Sequence, residues 1–545
     1  MKIAEKILDS FLKKKNLYSD EAIDDFINPK FKNLNDPYDF EHMNQIVEKI
    51  LKIKNKNQKI IIYGDYDVDG ITGTAFLTKV FRLAGIDTDY YIASRDEDGY
   101  GVDRRNIDVF DENGYKLIIT VDTGYNSIDD IKYARSLGID IIVTDHHELI
   151  KENETLDILY LNPKQSNTYK FKNLSGAGVA LKLAQGVYKK LSLSYEILYE
   201  YIDIIMIGTI ADVVPMIDEN RIIIKHGLNV LKNTKIKGLS YLLNYLKLNK
   251  EKITTTDVSY YISPLINSFG RIGRAQTGVD FFIKEDDFDL YNIIEEMKYL
   301  NKKRRKIEKN IYDEAVSKIK NMNLEKTKII FLSSSKWNPG VIGVVSSRLS
   351  IKYNLPVILV AIDKNFGKAS CRSVNGISIF NVLEKAAPLL ERYGGHDLAA
   401  GFLVSRENIL KVKNFISDNI STKQDTELKE DICFDCYIPI EKIDSDIINL
   451  LEKLSPFGNE NPHLLFKDEN VTISSLKKFG VDDKHFSGII HKNQFKIKCV
   501  AFDLKNKISD NYYNKKYDII YYPETFINRD NIEQKQIIIK DIKEK

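Results

Sequence analysis

The chain has 545 residues, 43% of them hydrophobic and 29% charged, which is the balance of a soluble globular protein. At about 150 residues per domain, three or four domains are expected rather than one core. A formal charge of +2 excludes a protein that binds nucleic acid through bulk charge, so any such surface must be a local patch offset by acids elsewhere.

The opening MKIAEKILDSFLKKKNLYSD is charged throughout and lacks the apolar stretch of a secretory signal. No apolar run approaches the roughly 18 residues needed to cross a bilayer, so no membrane association is expected. Residues 1–55 are read as an N-terminal helical segment. From residue 56 the pattern alternates: KIIIYGD, KLIITVDTG, IDIIVTDHHE and DILYLNPK are short β-branched runs, with TGTAFLTKVFRLAG and DDIKYARSLG as helices between them. Such runs predict a parallel sheet covered on both faces, in a catalytic domain over 56–235. After GTIADVV (208–214) the pattern turns helical, giving a connector over 236–320 that includes the basic run 302–306. A second α/β unit is expected over 321–422, beginning near KIIFLSSSKWNPGVIGVVSSRL. The polar STKQDTELKED reads as a linker. Residues 430–545 read as a β-rich domain with turns at Gly458-Asn459 and Asp482-Asp483. Four cysteines argue for a reducing compartment, the cytoplasm. Cys433 and Cys436 form one CxxC, which without a second pair or nearby histidines is read as strand packing rather than a zinc site.

The chemistry sits where the apolar runs end. Gly64-Asp65-Tyr66-Asp67-Val68-Asp69-Gly70 packs three aspartates into five residues, which repel unless a positive charge offsets them. Asp122 follows LIITV, Asp145-His146-His147 follows DIIVT, and Asp212 follows another apolar run. In open α/β sheets ligands bind outside the carboxyl ends of the strands, so these clusters are expected to meet at one edge. Carboxylate oxygens and imidazole nitrogens without thiolates favour Mn²⁺ or Mg²⁺, with the histidines tilting the choice toward Mn²⁺. Two such ions suit hydrolysis of a phosphate ester. The residues alone therefore predict a two-metal phosphoesterase.

GDYDVDG, VDTG, TDHHE and GTIADVVP, in this order and spacing, resemble the four motifs of the DHH phosphoesterase superfamily. NPK (162–164), SGAGVALKLAQ (175–185), SPLINSFGRIGRA (263–275), KWNPGVIGVVSSRLS (336–350), SCRS (370–373), GGHDLAAGF (394–402), SPFGNENPHLLF (455–466) and DDKHFSG (482–488) are similar to segments of its RecJ nucleases. The resemblance covers roughly residues 25–505. It implies a DHH domain, a DHH-associated domain and an oligonucleotide-binding (OB) domain. It also implies a 5′→3′ exonuclease acting on single-stranded DNA, releasing 5′-mononucleotides in repair and recombination.

By position, the resemblance implies that Asp67, Asp69, Asp122, His146 and Asp212 ligate two Mn²⁺ or Mg²⁺ ions. Asp65 is an extra ligand or supporting residue, and His147 faces the scissile phosphate, as a ligand or as a donor to the developing charge. Asn267, Arg271, Ser370 and Arg372 are candidate substrate contacts. Gly394, Gly395 and His396 offer backbone amides and an imidazole to phosphate. Where RecJ proteins often have a histidine, this chain has Asn338, which leaves that position's substrate role open. Trp337 is read as core packing ahead of base stacking. Lys484, His485, Phe486 and Phe495 are candidates for a single-strand groove. A single-strand-binding protein and a helicase are further partners implied by the resemblance alone. The alternatives are another DHH phosphodiesterase (an oligoribonuclease or cyclic-dinucleotide hydrolase) and a non-catalytic DNA-binding scaffold.

Overall fold

In the computed structural model, which describes residues 3–94, 101–148, 158–324, 327–374, 376–420, 432–480, 483–509, 511–527 and 533–545, three sheets organise the chain. The first contains β1 (Ile60–Gly64), β2 (Thr88–Ile92), β3 (Leu117–Val121), β4 (Asp140–Thr144) and β5 (Leu159–Leu161) in the order β2-β1-β3-β4-β5. Every pairing is parallel. Side chains alternate along a strand, and β1 shows the result. Ile60 and Ile62 join one core with the helices Met43–Asn55, Val68–Leu83 and Gly176–Lys190. Ile61 and Tyr63 join a separate core with Arg104–Glu112 and Ile128–Ser136. Apolar residues on both faces are what a parallel sheet between helical layers requires.

A helical connector follows, made of Lys237–Leu246, the π-helical turn Val258–Ile262, Ser263–Ile272, Ala275–Ile283 and the 34-residue helix Asp287–Lys320. The second sheet holds β6 (Ile330–Ser334), β7 (Val357–Ile362), β8 (Phe366–Arg372), β9 (Arg392–His396) and β10 (Ala399–Ser405) in the order β6-β7-β8-β10-β9. Its β6–β7 pair is parallel and the others antiparallel. The third sheet orders β11 (Cys436–Tyr437), β12 (Phe466–Phe479), β13 (His485–Lys492), β14 (Phe495–Ala501), β16 (Glu533–Glu544) and β15 (Tyr517–Ile527), and a β12–β15 pairing closes it into a barrel. Closure removes the free edges that would otherwise invite pairing with other chains.

The linker expected at 421–431 and Asp482 of the expected turn lie outside the described residues. Cys433 is exposed and Cys436 half-buried beside the two-residue strand β11, so the expectation of strand packing is corrected for Cys433, which no strand covers. No helix among the described residues is long and apolar enough to cross a membrane.

Candidate metal centre

Asp67 caps the helix Val68–Leu83, its carboxylate accepting hydrogen bonds from the amides of Asp69 at 2.8 Å and Gly70 at 3.2 Å. The turn is tight: a Cβ on Gly70 would lie 2.4 Å from the Asp65 carbonyl oxygen. Asp69, one residue into the helix, accepts from the Gly176 and Ala177 amides at 2.6 and 3.0 Å. These are free N–H groups at the start of the helix Gly176–Lys190, where the macrodipole favours negative charge. Gly176 is required there, because a Cβ would fall 2.5 Å from that of Asp122.

Asp122 directly follows β3 and adopts φ 62°, a left-handed conformation that costs a non-glycine residue about 1 kcal/mol or more. The residue after β4 is the organiser of the histidines. Asp145, nearly fully buried, accepts from the amides of His146 and His147 at 2.8 and 3.2 Å, from the Tyr125 amide at 3.0 Å, and pairs with His147 Nδ1 at 2.7 Å. Burial pushes the Asp145 carboxyl up, but the His147 charge and hydrogen bond outweigh it and hold it at about 2. Burial likewise lowers His147, and Asp145 outweighs it to raise the imidazole to about 9.

Asp212 arrives differently from the expectation. The run before it is the helix Ile202–Ala211, not a strand, and Asp212 is its C-cap. A short, mostly apolar run buried on all sides, interrupted by Asp203 and Thr209, has too little periodicity to separate the two. The helix C-terminus adds negative potential beside the carboxylate, which favours a cation.

These side chains converge. His146 Nε2 lies 3.0 Å from Asp122 Oδ1, 3.6 Å from Asp212 Oδ2 and 3.9 Å from Asp69 Oδ2. Three sets each bring their ligand atoms within 4.8 Å: Asp122, His146 and His147; Asp69, His146 and Asp212; and Asp65, Asp67 and Asp122. Asp122 and His146 are each shared by two sets, as residues between two neighbouring ions would be. Burial, then the neighbouring carboxylates, pushes Asp69 up to about 7 and Asp122 and Asp212 well above the usual range. Asp122 Oδ1 and His146 Nε2 are buried without a hydrogen-bond partner. An oxygen- and nitrogen-rich pocket that repels itself when ionised fits divalent cations.

Of the candidate substrate contacts, one pair lies beside the neighbours of Asp212. Asn267 and Arg271 line a cleft of about 260 Å³ with Ala211, Val213, Ser263 and Arg304. Arg271 Nη1 donates to the Gly340 carbonyl at 3.2 Å. Two glycines make this junction possible: a Cβ on Gly270 would sit 1.8 Å from the Tyr66 carbonyl oxygen, and one on Gly340 2.0 Å from that of Arg271. On β8, Arg372 donates to Ser347 Oγ at 2.9 Å and to the Cys371 carbonyl at 2.8 Å, with Ser370 Oγ 3.4 Å away. Gly394, Gly395 and His396 lie on the edge strand β9 rather than in a turn. Burial, then the charges of Lys164 and His147, lowers the His396 imidazole.

Asn338 caps its own turn by accepting from the Gly340 amide at 2.8 Å, and Trp337 is buried with its indole on Glu314. In the basic run, Arg304 turns inward to Glu308, while Lys302, Lys303, Arg305 and Lys306 face solvent. Phe486 is in the barrel core and therefore not a groove residue. Exposed aromatics there include Phe479 and Phe502, with His485 between them. Reasoning from sequence missed Asp145 as the orienting group and also Asn162, whose fully buried amide donates to the His147 carbonyl at 2.9 Å. Asp145 was signalled by its adjacency to the histidines, whereas Asn162 carried no chemical signal of its own.

Family profiles match in three places: the DHH family, N-terminal domain, at residues 59–209; the DHHA1 domain at 326–422; and the RecJ OB domain at 434–541. A crystal structure of exonuclease RecJ bound to manganese is 30% identical with a TM-score of 0.60, covering 71% of this chain and 95% of its own. The chain belongs to the RecJ family. The single-stranded-DNA-specific exonuclease RecJ of Bacillus subtilis is 34% identical over 91% of the chain, which spans 63% of that protein's length. The fold is shared with RecJ of Thermus thermophilus, crystallised with Mn²⁺, at a TM-score of 0.81, 23% identity, and coverage of 98% of this chain and 75% of that one.

Proposed function

We propose that the protein is a two-metal exonuclease that degrades single-stranded DNA from its 5′ end, releasing 5′-mononucleotides during repair and recombination. The observation that carries this reading is the overlap of three ligand sets through Asp122 and His146. Asp67, Asp69, Asp122, His146 and Asp212, with Asp65 supporting, would hold two Mn²⁺ or Mg²⁺ ions. When bound, these supply an activated water and neutralise charge on the phosphate.

The remaining work falls to the protein's own groups. His147 stays cationic near neutral pH because Asp145 holds its Nδ1, and so its other nitrogen donates to charge developing on a phosphate oxygen. Arg271 and Asn267 grip the strand's backbone in the cleft beside Asp212. Ser370, Arg372, Gly394, Gly395 and His396 receive the terminal nucleotide from the opposite wall. Lys484, His485, Phe479 and Phe502 offer unpaired bases an exposed aromatic and cationic surface on the barrel. A single-strand-binding protein and a helicase are proposed as partners, because an enzyme confined to unpaired strands needs duplex opened for it. The cytoplasm is the proposed location, given four unpaired thiols.

The test is digestion of oligonucleotides labelled at either end, with and without Mn²⁺. Stepwise 5′→3′ release is expected, abolished by chelation and reduced by about 10³-fold or more in Asp122→Ala, since Asp122 belongs to two of the three ligand sets. Release from the 3′ end, or equal digestion of blunt duplex, would overturn the assignment.

A further inference from the structure

The segment after Asp212 is held by the far end of the chain. Val213 Cα takes φ 60°, a left-handed conformation that a β-branched side chain opposes. Two hydrogen bonds from Asn459 bracket it. Asn459 Nδ2 donates to the Val213 carbonyl at 2.9 Å, and the Asn459 carbonyl accepts from the Met216 amide at 2.8 Å. The loop that presents Asn459 is itself anchored. Gly458 and Asn461 close it by mutual backbone bonds. Asn461, fully buried, donates to the carbonyls of Leu454 and Pro456, and Thr255 Oγ1 donates to that of Phe457 at 2.7 Å. Arg221, buried on the helix that follows Asp212, donates to the carbonyls of Leu454, Ser455 and Pro456.

A strained residue persists where its surroundings over-determine it. Val213 is more than half exposed, so core packing does not hold it in place; its own amide's bond to the Ile210 carbonyl at 3.2 Å holds one side and the bonds from Asn459 the other. Relaxation of Val213 would rotate the peptide immediately after Asp212 and swing the carboxylate that lies 3.6 Å from His146. We infer that Asn459, delivered by the C-terminal domain, is a positioning residue for Asp212, so that the OB domain completes the metal centre as well as contacting the strand. The inference rests on the proposed role of Asp212 as a metal ligand.

The experiment compares full-length wild type with Asn459→Ala, Asn459→Asp, Val213→Gly and the double variant Val213→Gly/Asn459→Ala. Mn²⁺ affinity is read from the free-ion electron paramagnetic resonance signal, and kcat and KM from a 5′-labelled oligonucleotide. Asn459→Ala should weaken Mn²⁺ binding about tenfold and lower kcat with KM nearly unchanged, the scale expected for one hydrogen bond that holds a ligand. Glycine adopts φ > 0 freely, so the double variant should recover to the level of Val213→Gly alone. Should Asn459→Ala fail to fold, Asn459→Asp loses the same donor while keeping the main-chain bond to Met216, and it is read in the same way. Mn²⁺ affinity within twofold of wild type, an effect confined to KM, or no rescue by glycine would overturn the inference. Wild type that binds Mn²⁺ but digests no strand would overturn the nuclease reading alone, leaving the metal comparison to decide this one.

Discussion

Asp145 orients the histidine that is proposed to face the phosphate. Its four hydrogen bonds set the orientation and charge of His147. Asp145→Asn keeps the shape but halves the acceptor capacity, so activity should fall by about 10²-fold with Mn²⁺ stoichiometry intact, as steady-state rates and metal titration would show. A second buried acid makes a pH prediction. Asp203, in the helix that delivers Asp212, is fully buried and accepts from Thr234 Oγ1 and the Ile204 amide. Burial raises its carboxyl from 3.8 to about 6. A folded-state value above the unfolded one gives stability that is complete below pH 3.8 and lost as pH rises through 6. Asp203→Asn escapes that loss. Its thermal stability relative to wild type should therefore improve between pH 5 and pH 8, by on the order of 2 kcal/mol, in melting curves taken at both. Metal binding should itself stabilise the fold, and the melting temperature should climb with Mn²⁺ concentration in wild type but not in Asp122→Ala.

Elements differ in how openly the sequence declares them. β1, β3 and β4 were legible because each is an Ile- or Val-rich run stopped by an aspartate, and the acids at their ends landed at one sheet edge as expected. The helix before Asp212 was not, because IDIIMIGTIA is almost entirely apolar and its one acid, Asp203, is buried like the rest. β9 hid for the opposite reason: Arg392–His396 has the composition of a turn, and its strand exists only through pairing with β10. The bonds from Asn459 join residues 246 positions apart, beyond any local pattern. Packing of elements carries a prediction too. Gly270 allows the helix Ser263–Ile272 to press on the Tyr66 carbonyl in the loop that carries Asp65 and Asp67. Gly270→Ala must move that helix or the loop, at a cost of about 1–3 kcal/mol. The nuclease rate should drop at least tenfold, on the order of one such displacement, while single-strand binding, followed by fluorescence anisotropy, stays near wild type.

Across the whole molecule, the first and last parts of the chain form one body. Ile7 and Phe11 of the helix Ile3–Lys14 pack into the barrel's core, and Arg221 joins the Phe26 carbonyl to those of residues 454–456. Replacing Arg221 with methionine leaves four carbonyls short of a donor in a buried site. A loss of about 3 kcal/mol or more is expected, with calorimetry resolving a separate early transition and limited proteolysis cutting near the junction. The helix Asp287–Lys320 has the complementary part to play. Its 34 residues span about 50 Å; it begins against the other connector helices, which share a core with the first sheet, and ends against β6. A tilt of about 5° at one end displaces the other by about 4 Å over such a span. The cleft lined by Ala211, Arg271 and Val344 also takes Arg304 from this rod, so a small tilt at the rod's root is magnified along its length.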